Sequence, residues 1–201
     1  VKIGQGGISK GYITGDAIKR ALQTMVHFKA VCERLGVNEI HAIATSAFRN
    51  SHNGQDLAYR IEKMTGIHVE IISGEIEAQL IYKGVKRALK IGHETSMILD
   101  IGGGSNEFII CNEDRIFWKQ SFEIGAQRLL DAFHTTEPMA VTDIHALEQF
   151  LFQELLPLKH AIKMYHPTCL IGASGSFDSL AEISRKELNV LKLPGETDYS
   201  L

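Results

Sequence analysis

Apolar and polar residues alternate along the first 90 positions with two different periods. Stretches in which apolar residues recur every three or four positions predict helices, and stretches that alternate at every second position predict strands. Helices and strands that follow one another in this way are typical of an α/β layer. The predicted elements, in order, are a strand at 1–4, a helix capped by Thr14 or Asp16 and stopped at Gly36, a strand at 39–44, a helix at about 54–64, a strand at 69–72, and a helix that Ser73 caps and that runs towards Leu89.

From residue 96 onwards the pattern changes to three apolar strands in succession. Short turns separate these strands, which predicts a β-meander with a glycine turn at its first bend. The predicted elements are strands at 96–101, 106–111 and 116–122, a helix from 125, a longer helix at about 142–164 interrupted near Pro157, a buried strand at 168–171 and a last helix from about 177.

The helical periodicity breaks at residues 88–95, and we place a domain boundary there. Residues 1–90 are therefore predicted to belong to one α/β domain and residues 91–201 to a second. The chain opens on what reads as a strand already in progress, without an initiator methionine. We therefore expect it to be a fragment of a longer protein.

Composition and charge exclude several classes of protein. A chain of 201 residues with 44% hydrophobic residues is expected to bury an ordinary globular core. The net charge of −3 without long charge runs predicts neither a nucleic-acid partner nor a membrane partner. No apolar run approaches the roughly 20 residues that span a bilayer. Three separated cysteines without a CxxC pair favour a reducing, cytoplasmic setting.

The strongest chemical signal is the turn at residues 100–107, Asp-Ile-Gly-Gly-Gly-Ser-Asn-Glu. Consecutive glycines between two strands allow backbone amides to converge on an anion. Carboxylates repel phosphate unless a hard cation lies between them, so Asp100 and Glu107 predict a Mg²⁺ site. A plain hairpin with solvated carboxylates is the alternative. A P-loop is excluded because Ser105 and Asn106 follow Gly104, and a Rossmann turn because a strand follows.

Several further motifs occur in a recognisable order. The segment 73–84 precedes the glycine turn, and residues 1–6, 44–49 and 124–129 flank the two. With these motifs the chain resembles the exopolyphosphatase and guanosine pentaphosphate phosphatase family. The resemblance implies the actin-like ATPase (ribonuclease H-like) fold, in which two α/β domains flank a phosphate-binding cleft. It also implies that the first phosphate loop lies upstream of Val1 and that the second domain continues beyond Leu201.

The resemblance further implies roles for single residues. Glu77 matches a glutamate that activates the attacking water, although it could instead only supply negative charge to a helix N-terminus. Arg49 matches an arginine thought to contact phosphate, although a lone arginine is more often a surface residue. Small residues between a strand and a helix form a second candidate phosphate loop, in which Ser174 replaces a family glycine. The candidate phosphate ligands are therefore Arg49, Gly102, Gly103, Gly104, Ser105, Gly172, Ser174 and Gly175.

The sequence thus predicts a Mg²⁺-dependent hydrolase that releases terminal phosphate from inorganic polyphosphate or from guanosine pentaphosphate. We expect it to act in the cytoplasm as a homodimer. The alternatives are an ATP-dependent kinase of the same superfamily and a non-catalytic protein that binds guanosine tetra- or pentaphosphate. The nine histidines show no metal-binding spacing such as HExxH and are interpreted as scattered surface or core residues.

Overall fold

The computed structural model describes residues 1–188, and its helices and strands alternate as the sequence predicts. The elements of the first half are α1 (Gly15–Arg34), β1 (Ala42–Ala44), α2 (Ser46–Arg49), α3 (Gly54–Thr65), β2 (Val69–Ile71) and α4 (Gly74–Ala88). Those of the second half are β3 (Ser96–Ile101), β4 (Asn106–Cys111), β5 (Ile116–Phe122), α5 (Ala126–Phe133), α6 (Val141–Glu154), α7 (Leu156–Tyr165), β6 (Cys169–Ala173) and α8 (Gly175–Leu188). Among these helices, none is both long enough and apolar enough to cross a membrane.

Side-chain caps fix where the first helices begin. The Thr14 hydroxyl accepts a hydrogen bond from the Ala17 amide at 3.3 Å, so Thr14 rather than Asp16 caps α1. The Ser73 hydroxyl accepts from the Ile76 amide at 3.2 Å, which confirms the predicted start of α4. This cap sets the first turn of α4, which contains Glu77.

The larger sheet has the strand order β5-β4-β3-β6. Strands β3, β4 and β5 form the predicted antiparallel meander, and β6 runs parallel to β3. The β3–β4 register pairs Asp100 with Glu107. Since β3 and β6 run in the same direction, the glycine turn after β3 and the segment after β6 lie at the same end of the sheet.

Helix α4 packs on this four-stranded sheet, although it precedes the predicted domain boundary. Ala78 and Tyr82 of α4 share a buried cluster with Ile98 and Ile109. Each fully buried isoleucine contributes about 1.5–3 kcal/mol of hydrophobic stabilisation, so this contact fixes α4 firmly. The two-stranded parallel sheet β1-β2 instead packs on α1 and α3. The domain boundary stays a prediction. The part of the predicted second domain that follows residue 188 lies outside the described residues.

Two predictions about strands are wrong. Residues 1–4 form no strand, because the Gly4 carbonyl accepts hydrogen bonds from the Gly7 and Ile8 amides and turns the chain. Strand β6 is not buried, since it lies at the edge of the described sheet and Leu170 is 55% exposed. The predicted interruption of the long helix is confirmed, with Pro157 in the first turn of α7.

Candidate functional site

A cleft of about 270 Å³ lies beside the glycine turn that joins β3 to β4. Glu77 and residues 102–105 line it, together with parts of residues 2–8 and 45–47. Both halves of the chain therefore contribute to its walls. The predicted water activator and the predicted phosphate turn meet at this one cleft.

The turn is held from behind by the first residues of α5. The carbonyl oxygens of Gly102, Gly103 and Gly104 accept hydrogen bonds from backbone N–H groups at 125–128, over 2.9 to 3.2 Å. These donors are ones that a helix N-terminus would otherwise leave unpaired. The N–H groups of Gly103 and Gly104 donate to no atom of residues 1–188. The turn thus offers two unpaired amides, which is how a backbone anion site is built.

Close packing explains why two positions around the turn are glycine. A Cβ atom on Gly104 would lie 2.4 Å from the Ser46 hydroxyl oxygen, and one on Gly125 would lie 2.4 Å from backbone atoms of Gly104. A Cβ atom on Gly103 would meet nothing nearer than 3.9 Å. None of the turn glycines has a positive φ, so the requirement here is for space. The room at Gly103 leaves the turn approachable by a ligand.

Glu107 is a buried carboxyl group directly behind the turn. Its side chain on β4 is only 1% exposed, and its Oε1 accepts a hydrogen bond from the Ser121 hydroxyl at 2.7 Å. Burial raises the pKa of Glu107 to about 7, and the negative charges of Glu77 and Asp100 act in the same direction. Hydrogen bonds from Ser121 and Ser105 oppose this shift. The site therefore concentrates negative charge that a cation would relieve.

The carboxylates of Glu77, Asp100 and Glu107 make an oxygen-only set of possible ligands. No three such groups here bring ligand atoms within 4.8 Å of one another; among residues 1–188, His93, Glu113 and Asp114 do so, at a different turn. A cation beside the glycine turn would thus have at most two close carboxylates. Mg²⁺ is usually held in this way, with waters and substrate phosphates as its other ligands. The residues present fit that ion.

Arg49 holds one oxygen of Glu77. Its Nη1 donates to Glu77 Oε2 at 3.1 Å and to the Ile72 carbonyl at 2.9 Å. Both side chains are less than one fifth exposed, at 18% and 16%. No hydrogen bond of the described residues uses Glu77 Oε1, so this oxygen can accept a proton. Arg49 lies behind Glu77 and does not line the cleft.

The second candidate phosphate loop lies near the turn but outside the cleft lining. Ser174 has a φ of 74°, a left-handed conformation that favours glycine. The hydroxyls of Ser174 and Ser176 each donate to the Ile101 carbonyl at 3.2 Å, which fastens the loop to the end of β3. Gly172 is needed for packing, because a Cβ atom would overlap the Phe177 ring. Phosphate binding by Gly172, Ser174 and Gly175 stays a prediction.

Sequence reasoning missed two charged residues beside the turn. Arg128 donates to the carbonyls of Gly104 and Ile8, each at 3.1 Å, and to Glu123 Oε2 at 2.7 Å. Glu123 Oε2 also accepts from the Ser46 hydroxyl at 2.9 Å. The available signal was that both residues adjoin or lie in the matched segment 124–129. Apart from their contact with each other, their partners Ser46, Ile8 and Gly104 are distant in sequence, so no local pattern reveals those contacts.

Comparison with known proteins shows that this chain is similar to phosphatases. A model of the Ppx/GppA phosphatase family matches residues 1–195. An exopolyphosphatase of Cytophaga hutchinsonii is 44% identical over 96% of this chain and superposes with a TM-score of 0.89. The PPX-GPPA enzyme of Aquifex aeolicus is 26% identical over 90% of this chain, with a TM-score of 0.65. The chain spans 62% and 57% of the lengths of these two structures. The similarity confirms the predicted α/β fold.

Proposed function

Because the chain belongs to the Ppx/GppA phosphatase family, we propose that its cleft serves the release of terminal phosphate from inorganic polyphosphate. The observation that carries the proposal is the turn with two unpaired amides beside a carboxylate with one free oxygen. Phosphoryl transfer to water needs an anion site, a proton acceptor and charge neutralisation. We assign the first role to the amides of Gly103 and Gly104 and the second to Glu77.

The proposed reaction begins with the terminal phosphate bound at the amides of Gly103 and Gly104. Glu77 Oε1 accepts a proton from a water molecule, whose oxygen forms a bond to the terminal phosphorus. The anhydride P–O bond breaks, and the leaving phosphate chain takes the electron pair. Arg49 keeps Glu77 in place through its other oxygen and offsets negative charge behind it.

We propose Mg²⁺ as the cofactor, with Asp100 and Glu107 as its protein ligands. When bound, Mg²⁺ would supply charge neutralisation to the phosphate oxygens. Glu107 must be ionised to act as a ligand, whereas burial favours its protonated form. We therefore expect metal binding to release a proton and to weaken as the pH falls below about 7.

The buried carboxyl group of Glu107 should make stability depend on pH in the absence of metal. Folding favours its protonated form, so its contribution to the free energy of unfolding is complete below pH 4.5 and is lost as the pH rises through about 7. The loss is on the order of 3 kcal/mol. Urea unfolding of wild type and Glu107→Gln across this range, with a chelator present, measures the difference. If the two proteins differed in free energy of unfolding by the same amount at every pH, the raised pKa of Glu107 would be contradicted.

Guanosine pentaphosphate is the second substrate that we propose, since it presents the same terminal phosphoanhydride. We further propose a cytoplasmic homodimer, without nucleic-acid or membrane partners. Support for the compartment comes from Cys32, Cys111 and Cys169, which are all free thiols.

Phosphate release tests the proposed function directly. The full chain should release phosphate from polyphosphate in the presence of Mg²⁺, and guanosine pentaphosphate should be tested beside it. ATP with sugar or acetate acceptors serves as the kinase comparison. Transfer of phosphate from ATP to an acceptor would overturn the proposal in favour of a kinase. Binding of the guanosine nucleotide without any release would identify a non-catalytic binding protein.

A further inference from the structure

Four side chains of alternating charge form a row of ion pairs that begins at Glu77 in the cleft lining. Glu77 pairs with Arg49 at 3.1 Å, Arg49 with Glu123 at 3.5 Å, and Glu123 with Arg128 at 2.7 Å. Two members precede the four-stranded sheet in sequence, and two follow its strand β5. Glu123 is the carboxylate that has an arginine on each side.

One end of this row of ion pairs holds the glycine turn in place. The Arg128 guanidinium binds the Gly104 carbonyl and the Ile8 carbonyl, and its remaining nitrogen binds Glu123. Arg128 is only 18% exposed, and a largely buried charge requires a partner. Glu123 supplies the countercharge that allows Arg128 to stay between the turn and the N-terminal segment.

At the other end of the row, Glu123 lies beside Arg49. An arginine and a carboxylate often pair through two parallel hydrogen bonds, which would occupy both oxygens of Glu77. Here only Nη1 binds Glu77, while Nη2 is buried, makes no hydrogen bond with the described residues and lies 3.5 Å from Glu123 Oε1. The charge of Glu123 attracts Nη2 away from Glu77. The second oxygen of Glu77 therefore stays free for water.

We infer that Glu123 is a positioning residue, which keeps Glu77 Oε1 available by holding Arg49 and keeps the glycine turn in place by holding Arg128. The kinetic part of this inference rests on the proposed function. The part that concerns the turn does not, because it can be measured without substrate.

The test is Glu123→Gln in the full chain, since glutamine keeps the shape of the side chain and removes its charge. We expect kcat for phosphate release to fall roughly tenfold with KM within about twofold of wild type, the effect of one charge-assisted hydrogen bond. Glu123→Asp, which restores the charge, should recover part of this loss. Glu62→Gln is the matched control, because Glu62 pairs with the exposed His68 and neither residue lines the cleft.

Amide hydrogen exchange at residues 125–128 provides the readout without substrate, since these amides are protected by the turn carbonyls. We expect about fivefold faster exchange in Glu123→Gln and no change in Glu62→Gln. Unchanged exchange overturns the inference, and so does an unchanged kcat in an active enzyme. A kcat loss that only parallels a lower unfolding temperature also overturns it. If the wild-type protein releases no phosphate, the proposed function is wrong. Amide hydrogen exchange at residues 125–128 then still tests whether Glu123 keeps the glycine turn in place.

Discussion

Glu77→Gln should lower kcat for phosphate release by at least roughly a hundredfold, the usual contribution of a general base, while the protein stays folded. The glutamine carbonyl can still accept the hydrogen bond from Arg49, so packing behind the cleft is retained. An amide cannot take a proton from water, so the chemical step loses its acceptor. Initial rates at saturating polyphosphate, together with thermal unfolding, measure the two effects.

Glu75→Gln is the matched control for this experiment. Glu75 lies in the same first turn of α4, but its side chain is exposed and does not line the cleft. It tests the alternative that Glu77 only supplies charge to the helix N-terminus, an effect of about 0.3–1 kcal/mol. Equal effects of the two substitutions, or full turnover in Glu77→Gln, would show that the assignment of the base is wrong.

Gly125→Ala should destabilise the protein by roughly 3 kcal/mol and remove most phosphate release. The added Cβ atom would lie 2.4 Å from the Gly104 nitrogen and carbonyl carbon. Backbone atoms cannot rotate aside as a side chain can, so the turn must move away from α5. Denaturant unfolding and phosphate release measure the two losses.

Gly84→Ala provides the opposite expectation within the same chain. Gly84 lies in α4, and a Cβ atom there would meet nothing within 4 Å. Alanine in an exposed helical position is favoured over glycine by about 0.5–1 kcal/mol, so this variant should be slightly more stable. If Gly125→Ala were as stable as Gly84→Ala, the close approach of α5 to the turn would be contradicted.

Local patterns were sufficient to predict most of the elements. The Ser73 cap, the meander and its glycine turn depend on short-range chemistry, and all three are present. The exposure of β6 was not predictable, because a short apolar run in the sequence looks the same at the edge of a sheet as in its centre. The strand expected at 1–4 failed because the glycines that follow favour a turn.

The candidate site was predictable only in part, for a related reason. Residues 100–107 carry their chemistry within one short segment, so the turn could be located from sequence. Glu123 and Arg128 acquire their partners only through folding, since Arg128 binds the Ile8 carbonyl 120 positions away in the chain. Docking of the turn on α5 likewise depends on the contact between Gly104 and Gly125, which no local pattern encodes.

The packing of α4 on the larger sheet has a consequence for motion. Ala78 and Tyr82 join Glu77 to the strands that carry Asp100, Glu107 and the glycine turn. If the two sheets swing about a hinge, these groups travel as one rigid body, whereas residues 45–47 move with β1. Such a motion would change the width of the entrance while leaving the spacing between Glu77 and the glycine turn unchanged. The contacts of Arg49 with Glu77 and of Ser46 with Glu123 join the two sides, so these contacts would limit how far the entrance opens.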